Sequence, residues 1–209
     1  HNYPVKKNFF NYFLIKFNAL IVKLLNVKVI TVSKNCKSAL VLYSGLKKIK
    51  VIYNGISQKI NLNKKIKRKT KKIHLNYFGK IEYRKGLHIL IGALNNIGLN
   101  DIVLNIYGDG DLNYKKKLKF LKKNNNYGLN FYKPISDITK VLKETDILIL
   151  PSIQFESFGM VLIEAMRQQV PIICSNSGGM TEIVKNEKNG LTFKNNNSND
   201  LKKKLVTLI

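Results

Sequence analysis

Residues 147–166 read ILILPSIQFESFGMVLIEAM. The first four form an unbroken apolar run, short enough for a strand buried on both faces, and Pro151 and Ser152 end it at once. Ser157, Phe158 and Gly159 are small or permissive enough to turn the chain into a helix, expected over 159–169. Strand, short loop and helix in that order are the unit from which parallel sheets are built. This stretch therefore fixes the class of the fold as α/β.

The same alternation runs through the rest of the chain. β-Branched and aromatic runs predict strands at 27–32, 51–53, 73–78, 102–107, 129–132, 147–150, 171–175 and 191–193. Helices are expected at 9–25, 34–46, 86–97, 112–124, 138–144, 159–169, 180–185 and 199–208. The result is a Rossmann-like parallel sheet with helices on both faces. Residues 58–72, QKINLNKKIKRKTKK, are basic and aperiodic, and read as a surface connection. A complete doubly wound domain begins with a strand, yet this chain opens HNYP and passes almost directly into a helix. Too few strands precede Tyr53 for a sheet of their own. Residues 1–48 are accordingly expected to be the end of a partial second Rossmann-like domain, and 49–209 a complete unit.

With 209 residues, 44% of them hydrophobic, the chain is rich enough to pack a core. Its net charge of +25 attracts anions of any kind and chooses none. Only Arg68, Arg84 and Arg167 are arginines among 37 basic residues, and the lysines lie among many asparagines. That pattern suggests bias toward A/T-rich codons, and the charge is discounted to that extent. Nucleic-acid binding lacks a reading motif here, with lysines scattered instead of interleaved with aromatics, so no specific nucleic-acid partner is expected. Cys36 and Cys174 are far apart in apolar stretches, which predicts two buried thiols and a reducing compartment. No apolar run reaches the roughly 18 residues that span a bilayer. The nearest, 9–25, reads as a core helix, with a membrane-surface helix carrying Lys16 and Lys23 as the sharper alternative.

Chemistry-bearing residues gather where strands are expected to end. Glu156 falls in the loop after the strand at 147–150, and Glu164 one to two turns inside the following helix, where a carboxylate can accept from both hydroxyls of a ribose. The free N–H groups of Ser157, Phe158 and Gly159 at the helix start suit a phosphate oxygen. The stretch 73–94, IHLNYFGKIEYRKGLHILIGAL, places Gly79, Lys80, Arg84 and Lys85 in another strand-to-helix loop, where cations can clamp a diphosphate. Gly108 follows a third strand and lets backbone approach a ligand. Each feature alone is equally well an exposed charge or a turn.

Together they carry a resemblance. TVSKNCKSAL, VIYNGIS, YFGKIEYRKGLHILIGAL, NIYGDGDL, DILILPS, ESFGMVLIEAM, PIICSNSGGMTEIV and NGLTF occur in the order found in the family 4 glycosyltransferases. The chain resembles that family from about residue 30 to its end. The resemblance implies the GT-B fold, two Rossmann-like domains with the sugar-nucleotide donor held mainly by the second, and retaining transfer of a sugar from a nucleoside-diphosphate sugar to a glycan or glycolipid acceptor. It makes Glu156 and Glu164 the ends of the Glu-x7-Glu motif, Lys85 the diphosphate lysine and Lys80 the replacement for a customary arginine, and it places His1 where the family often has a catalytic histidine. Pro134 and Ile135 stand near the nucleobase, and Lys133 and Pro134 replace a glycine-containing loop. Residues 1–48 become the end of the acceptor domain, and the family's final returning helix is expected to be absent. No metal or other cofactor is expected. A cytoplasmic location is implied, at the inner face of the membrane, with peripheral association with anionic lipid and a role in polysaccharide or lipopolysaccharide synthesis. A non-catalytic sugar-nucleotide-binding fragment and a sugar-nucleotide epimerase are the rival readings.

Overall fold

The computed structural model describes residues 9–56, 72–122 and 125–209. His1 and nearly all of the basic stretch 58–72 lie outside the described residues, as do the last two positions of the helix expected at 112–124.

The chain begins with helix α1 (Phe9–Leu24), strand β1 (Val29–Thr31), helix α2 (Lys34–Ser44) and strand β2 (Ile49–Val51). β1 and β2 pair in parallel as a separate two-stranded sheet, Val29 opposite Ile49 and Thr31 opposite Val51. The change of sheet thus falls after Val51, not at 48, and the strand expected at 51–53 sits two residues earlier. Ser33 caps α2 by accepting from the Cys36 N–H at 3.1 Å, and Gly45 closes it in the left-handed region with its N–H on the Val41 carbonyl. The small core is Ala19, Leu46 and Ile49, with Val22, Val29 and Leu40 packed against it. Phe17, Leu20 and Leu24 of α1 are half or more exposed.

The second sheet holds β3 (Ile73–Phe78), β4 (Ile102–Tyr107), β5 (Gly128–Tyr132), β6 (Ile147–Leu150), β7 (Ile172–Ser175) and β8 (Leu191–Phe193), all parallel, in the order β5-β4-β3-β6-β7-β8. Counted from β3 this is 3-2-1-4-5-6, the strand order of the dinucleotide-binding fold. The helices are α3 (Leu87–Asn95), α4 (Leu112–Lys122), α5 (Thr139–Leu142), α6 (Met160–Arg167), α7 (Met180–Ile183) and α8 (Ser198–Leu208). α3 packs on α4 and α8, and α6 on α7. The expected Rossmann-like sheet is therefore present. Every residue of β6 and β7 is buried, the apolar run of β6 and the three apolar residues of β7 together with Ser175, whereas β5 at the edge is only partly covered. Cys174 is buried on β7, but Cys36 is only partly covered, so one of the two expected buried thiols is not one.

A row of amides crosses the buried sheet. Asn130 Nδ2 donates to Asn105 Oδ1 at 3.0 Å, Asn105 Nδ2 to Asn76 Oδ1 at 2.9 Å, and Asn76 Nδ2 to Thr145 Oγ1 at 2.7 Å. Asn76, Asn105 and Asn130 are register partners on β3, β4 and β5. A slip of one residue would turn an amide to the other face and leave its neighbours unpaired, so the row pins the alignment of the strands. Asn105→Leu is expected to destabilise the chain by about 2–3 kcal/mol, because it strands the Asn76 oxygen and the Asn130 amide. Thermal unfolding should show Tm lower by about 5–10 °C, and a smaller loss for Asn130→Leu at the exposed edge.

Candidate active site

A cavity of about 740 Å³ opens at the carboxyl ends of β3, β4 and β5, against the first half of α6. Its walls come from the loops after three strands and from the helix after β6, so it lies where the strand order reverses between β3 and β6. The loops continue the pairing of the strands they leave: the Gly79 N–H donates to the Tyr107 carbonyl at 3.0 Å, Gly108 to Tyr132 at 3.1 Å and Ile81 to Asp109 at 2.8 Å. A β-carbon on Gly108 would lie 1.9 Å from the Gly79 carbonyl oxygen, so no larger residue fits between these two loops.

Six of the residues singled out in the sequence line this cavity: Gly79, Lys80, Gly108, Pro134, Ile135 and Glu164. Glu164 is half-buried, and burial, helped by Asp137, raises its carboxyl above the ordinary range. Sequence reasoning missed the aromatic wall. Phe78 stacks on Tyr107 at 5.0 Å between ring centroids, and Tyr107 on Tyr132 at 4.7 Å. Phe78 and Tyr107 face the cavity, and burial pushes the Tyr107 hydroxyl up to about 12. Only the register, Phe78 opposite Tyr107 and Tyr107 opposite Tyr132, reveals the stack.

Of the other predicted residues, His1 lies outside the described residues, and Arg84, Lys85, Glu156, Ser157, Phe158 and Gly159 fall in the loops leading into α3 and α6. Lys85 Nζ meets Glu156 Oε2 at 2.5 Å, and the Ser152 hydroxyl lies 3.4 Å from the same oxygen. The two loops are joined by backbone bonds, with the N–H groups of Ile153 and Gln154 donating to the Arg84 carbonyl. Lys80 and Arg84 do not act alone. Arg84 Nε lies 2.7 Å from Glu82 Oε2 and Lys80 Nζ 3.9 Å from Glu82 Oε1. The hydrogen bond from Arg84 holds the Glu82 carboxyl below the ordinary range. Arg84 is thus occupied by Glu82, which sequence reasoning had not placed in the site. The Phe158 side chain is buried beside the Tyr53 ring, at 6.2 Å between centroids, so what it can offer a ligand is its backbone.

Residues 58–209 match the family model described as Glycosyl transferases group 1. The chain belongs to that family. It is 37% identical over 186 residues to an uncharacterized glycosyltransferase of Methanocaldococcus jannaschii, covering 87% of this chain and 49% of that protein. It is 30% identical over 155 residues to a glycogen synthase of Mycobacterium tuberculosis, covering 71% and 36%. Among solved structures it is similar to Anabaena HepE in complex with UDP and glucose, at 26% identity and a TM-score of 0.78, over 92% of this chain and 57% of HepE. This group 1 chain spans about half the length of the curated relatives it matches. The likeness to HepE extends to the sheet, which is that of the GT-B glycosyltransferases.

The raised carboxyl of Glu164 sets the sign of a pH effect. The folded chain holds this proton more tightly than the unfolded one, so ionising it costs stability at neutral pH and nothing below the ordinary carboxylate range. Glu164→Gln removes that cost. Scanning calorimetry should find Tm higher than that of the unaltered chain near pH 7, with the gain vanishing toward about pH 4.

Proposed function

We propose that this chain is the donor-binding part of a retaining family 4 glycosyltransferase, which transfers a sugar from a nucleoside-diphosphate sugar to a glycan or lipid-linked acceptor. The observation that carries the proposal is the cavity at the reversal of strand order, with Glu164 and Lys80 on its wall and the Lys85–Glu156 pair in the adjoining loops. The base lies at the apolar end, beside Tyr107, Pro134 and Ile135. Glu164 accepts from the ribose hydroxyls. Negative charge builds on the diphosphate as the glycosidic bond breaks, and Lys85, Lys80 and the first N–H groups of α6 stabilise it. Glu156 receives a hydroxyl of the donor sugar and, by its bond to Lys85, holds that ammonium toward the phosphates. Three sources of positive charge neutralise the leaving group without a divalent cation. The UDP bound by HepE supports a nucleoside diphosphate as the ligand.

The small two-stranded unit is read as the end of the acceptor domain, and His1, which lies outside the described residues, as the catalytic histidine that the family resemblance implies. Among the described residues no helix is long and apolar enough to cross a membrane. The exposed Phe17, Leu20 and Leu24 of α1, with Lys16 and Lys23 on the same helix, support peripheral association with anionic lipid at the cytoplasmic face. A role in the synthesis of a surface polysaccharide or lipopolysaccharide is part of the same proposal.

Calorimetric titration with UDP, GDP and ADP tests the donor site. One of them should bind, Lys85→Ala should weaken it roughly tenfold or more, and Lys80→Ala should weaken it less, because Lys80 is the more exposed of the two cations. Glu164→Ala should cost about 1–3 kcal/mol of binding. Affinities unchanged in Lys85→Ala and Glu164→Ala would remove both residues from the site, and no binding by the unaltered chain would overturn the proposal.

A further inference from the structure

The loop that carries Glu156 is held by its carbonyl oxygens. The Ser175 hydroxyl donates to the Ser152 carbonyl at 2.5 Å, the Ser177 hydroxyl to Gln154 at 3.0 Å and the Gly179 N–H to Glu156 at 2.7 Å. All three donors come from the end of β7 and the turn into α7. That turn lies so close that a β-carbon on Gly178 would stand 2.2 Å from the Glu156 carbonyl oxygen, and φ of 56° already favours glycine there. The next carbonyl, that of Ser157, is held differently. Its partner is the Ser33 hydroxyl at 2.8 Å, from the residue that caps α2 in the small unit. Ser33 is fully buried, and Cys36 Sγ lies 3.5 Å from the same carbonyl.

Ser33 is fixed in turn by Glu182 of α7. The Glu182 carboxylate accepts from the Lys34 N–H at 2.9 Å, the Asn35 N–H at 2.7 Å, Asn35 Nδ2 at 2.7 Å and the Tyr53 hydroxyl at 2.8 Å. Four donors on one carboxylate, two of them the first N–H groups of α2, make this a directed joint between the units. Ser157 opens the turn into α6, so the position of its carbonyl sets the position of the N–H groups that follow it.

We infer that Ser33 and Glu182 are positioning residues that tie the small unit to the loop at 156–159, so that the placement of α2 sets the affinity of the chain for a nucleoside diphosphate. The inference rests on the proposed donor site. Coupling of this kind is reciprocal: if α2 sets the loop, a ligand on the loop must steady α2.

Ser33→Gly is the decisive variant, since glycine is tolerated at a helix cap but offers no hydroxyl. In the full 209-residue chain, Ser33→Gly is expected to bind UDP, GDP or ADP, whichever the unaltered chain takes, about five- to tenfold more weakly, the effect of one lost hydrogen bond, and Glu182→Ala, which removes the acceptor of four, at least as weakly. Ser33→Thr, which keeps the hydroxyl, should restore the affinity. A role confined to stability would lower Tm and leave the dissociation constant unchanged. The second measurement is the rate at which a disulfide thiol reagent labels Cys36, with Cys174 buried. That rate should rise in Ser33→Gly and Glu182→Ala but not in Ser33→Thr, and bound nucleoside diphosphate should slow it in the unaltered chain only. Equal affinities, or labelling indifferent to nucleotide, would overturn the inference. Should the unaltered chain bind none of the three nucleotides, the donor reading falls, and equal labelling rates in all variants would then dispose of the tie as well.

Discussion

The reversal of strand order between β3 and β6 is the constraint on which the rest of the molecule depends. Parallel strands joined by right-handed crossovers send their helices to one face when the chain moves in one direction across the sheet and to the other when it moves back. Starting from the centre, β3 leads outward to β4 and β5, whereas β6 leads the opposite way to β7 and β8. The helices after β3 and β6 must therefore part, which leaves a gap between the loops at the ends of β3, β4 and β5 and the start of α6. The cavity lined by Lys80, Gly108, Pro134 and Glu164 is that gap. Its floor is made of strand ends, which is why rings in register, Phe78 and Tyr107, form a wall there, with Tyr132 stacked behind Tyr107.

Charge beside this gap is organised pair by pair. A chain of net charge +25 with only 12 acidic residues could leave its loop cations unpaired. Instead Lys85 is matched to Glu156 and Arg84 to Glu82, each within hydrogen-bonding distance. The two pairs differ in setting. Lys85 and Glu156 are largely covered, so their attraction is screened less than that of the more exposed Arg84 and Lys80 around Glu82. Lys85 and Lys80 are thus ammonium groups already oriented by carboxylates, and the overall excess of lysine contributes only a diffuse attraction for anions.

Much of this was legible in the sequence because it is local. The buried runs ILIL and IICS, with loop residues beside them, mark β6 and β7 to within a residue, and strand-loop-helix units made Lys80, Lys85, Glu156 and Glu164 stand out. What was not legible depends on residues distant in sequence. Glu82 reads as one more surface acid until Arg84 and Lys80 are seen to turn to it. The strand expected at 51–53 stops at Val51, and Tyr53 instead sends its hydroxyl to Glu182, 129 positions away. Asn76, Asn105 and Asn130 look like interruptions of apolar strands, and only their alignment across the sheet makes them partners.

The small unit shows what such distant bonds accomplish. Among the described residues, two strands of three residues and a core of Ala19, Leu46 and Ile49 bury little apolar surface, and an isolated pair of strands is marginal in water. Within the described residues, α2 gains its direction from the larger unit, through Glu182 on its first N–H groups and Ser157 on its cap. Directed hydrogen bonds hold position more sharply than apolar contact does, since they weaken steeply as their angles change. They also transmit position. A shift of α2 cannot occur without moving either the Ser157 carbonyl or the Glu182 carboxylate, and both belong to segments that bound the loop of Glu156. The weakly packed unit and the charged loop are thus one mechanical system, joined at a serine hydroxyl and a carboxylate.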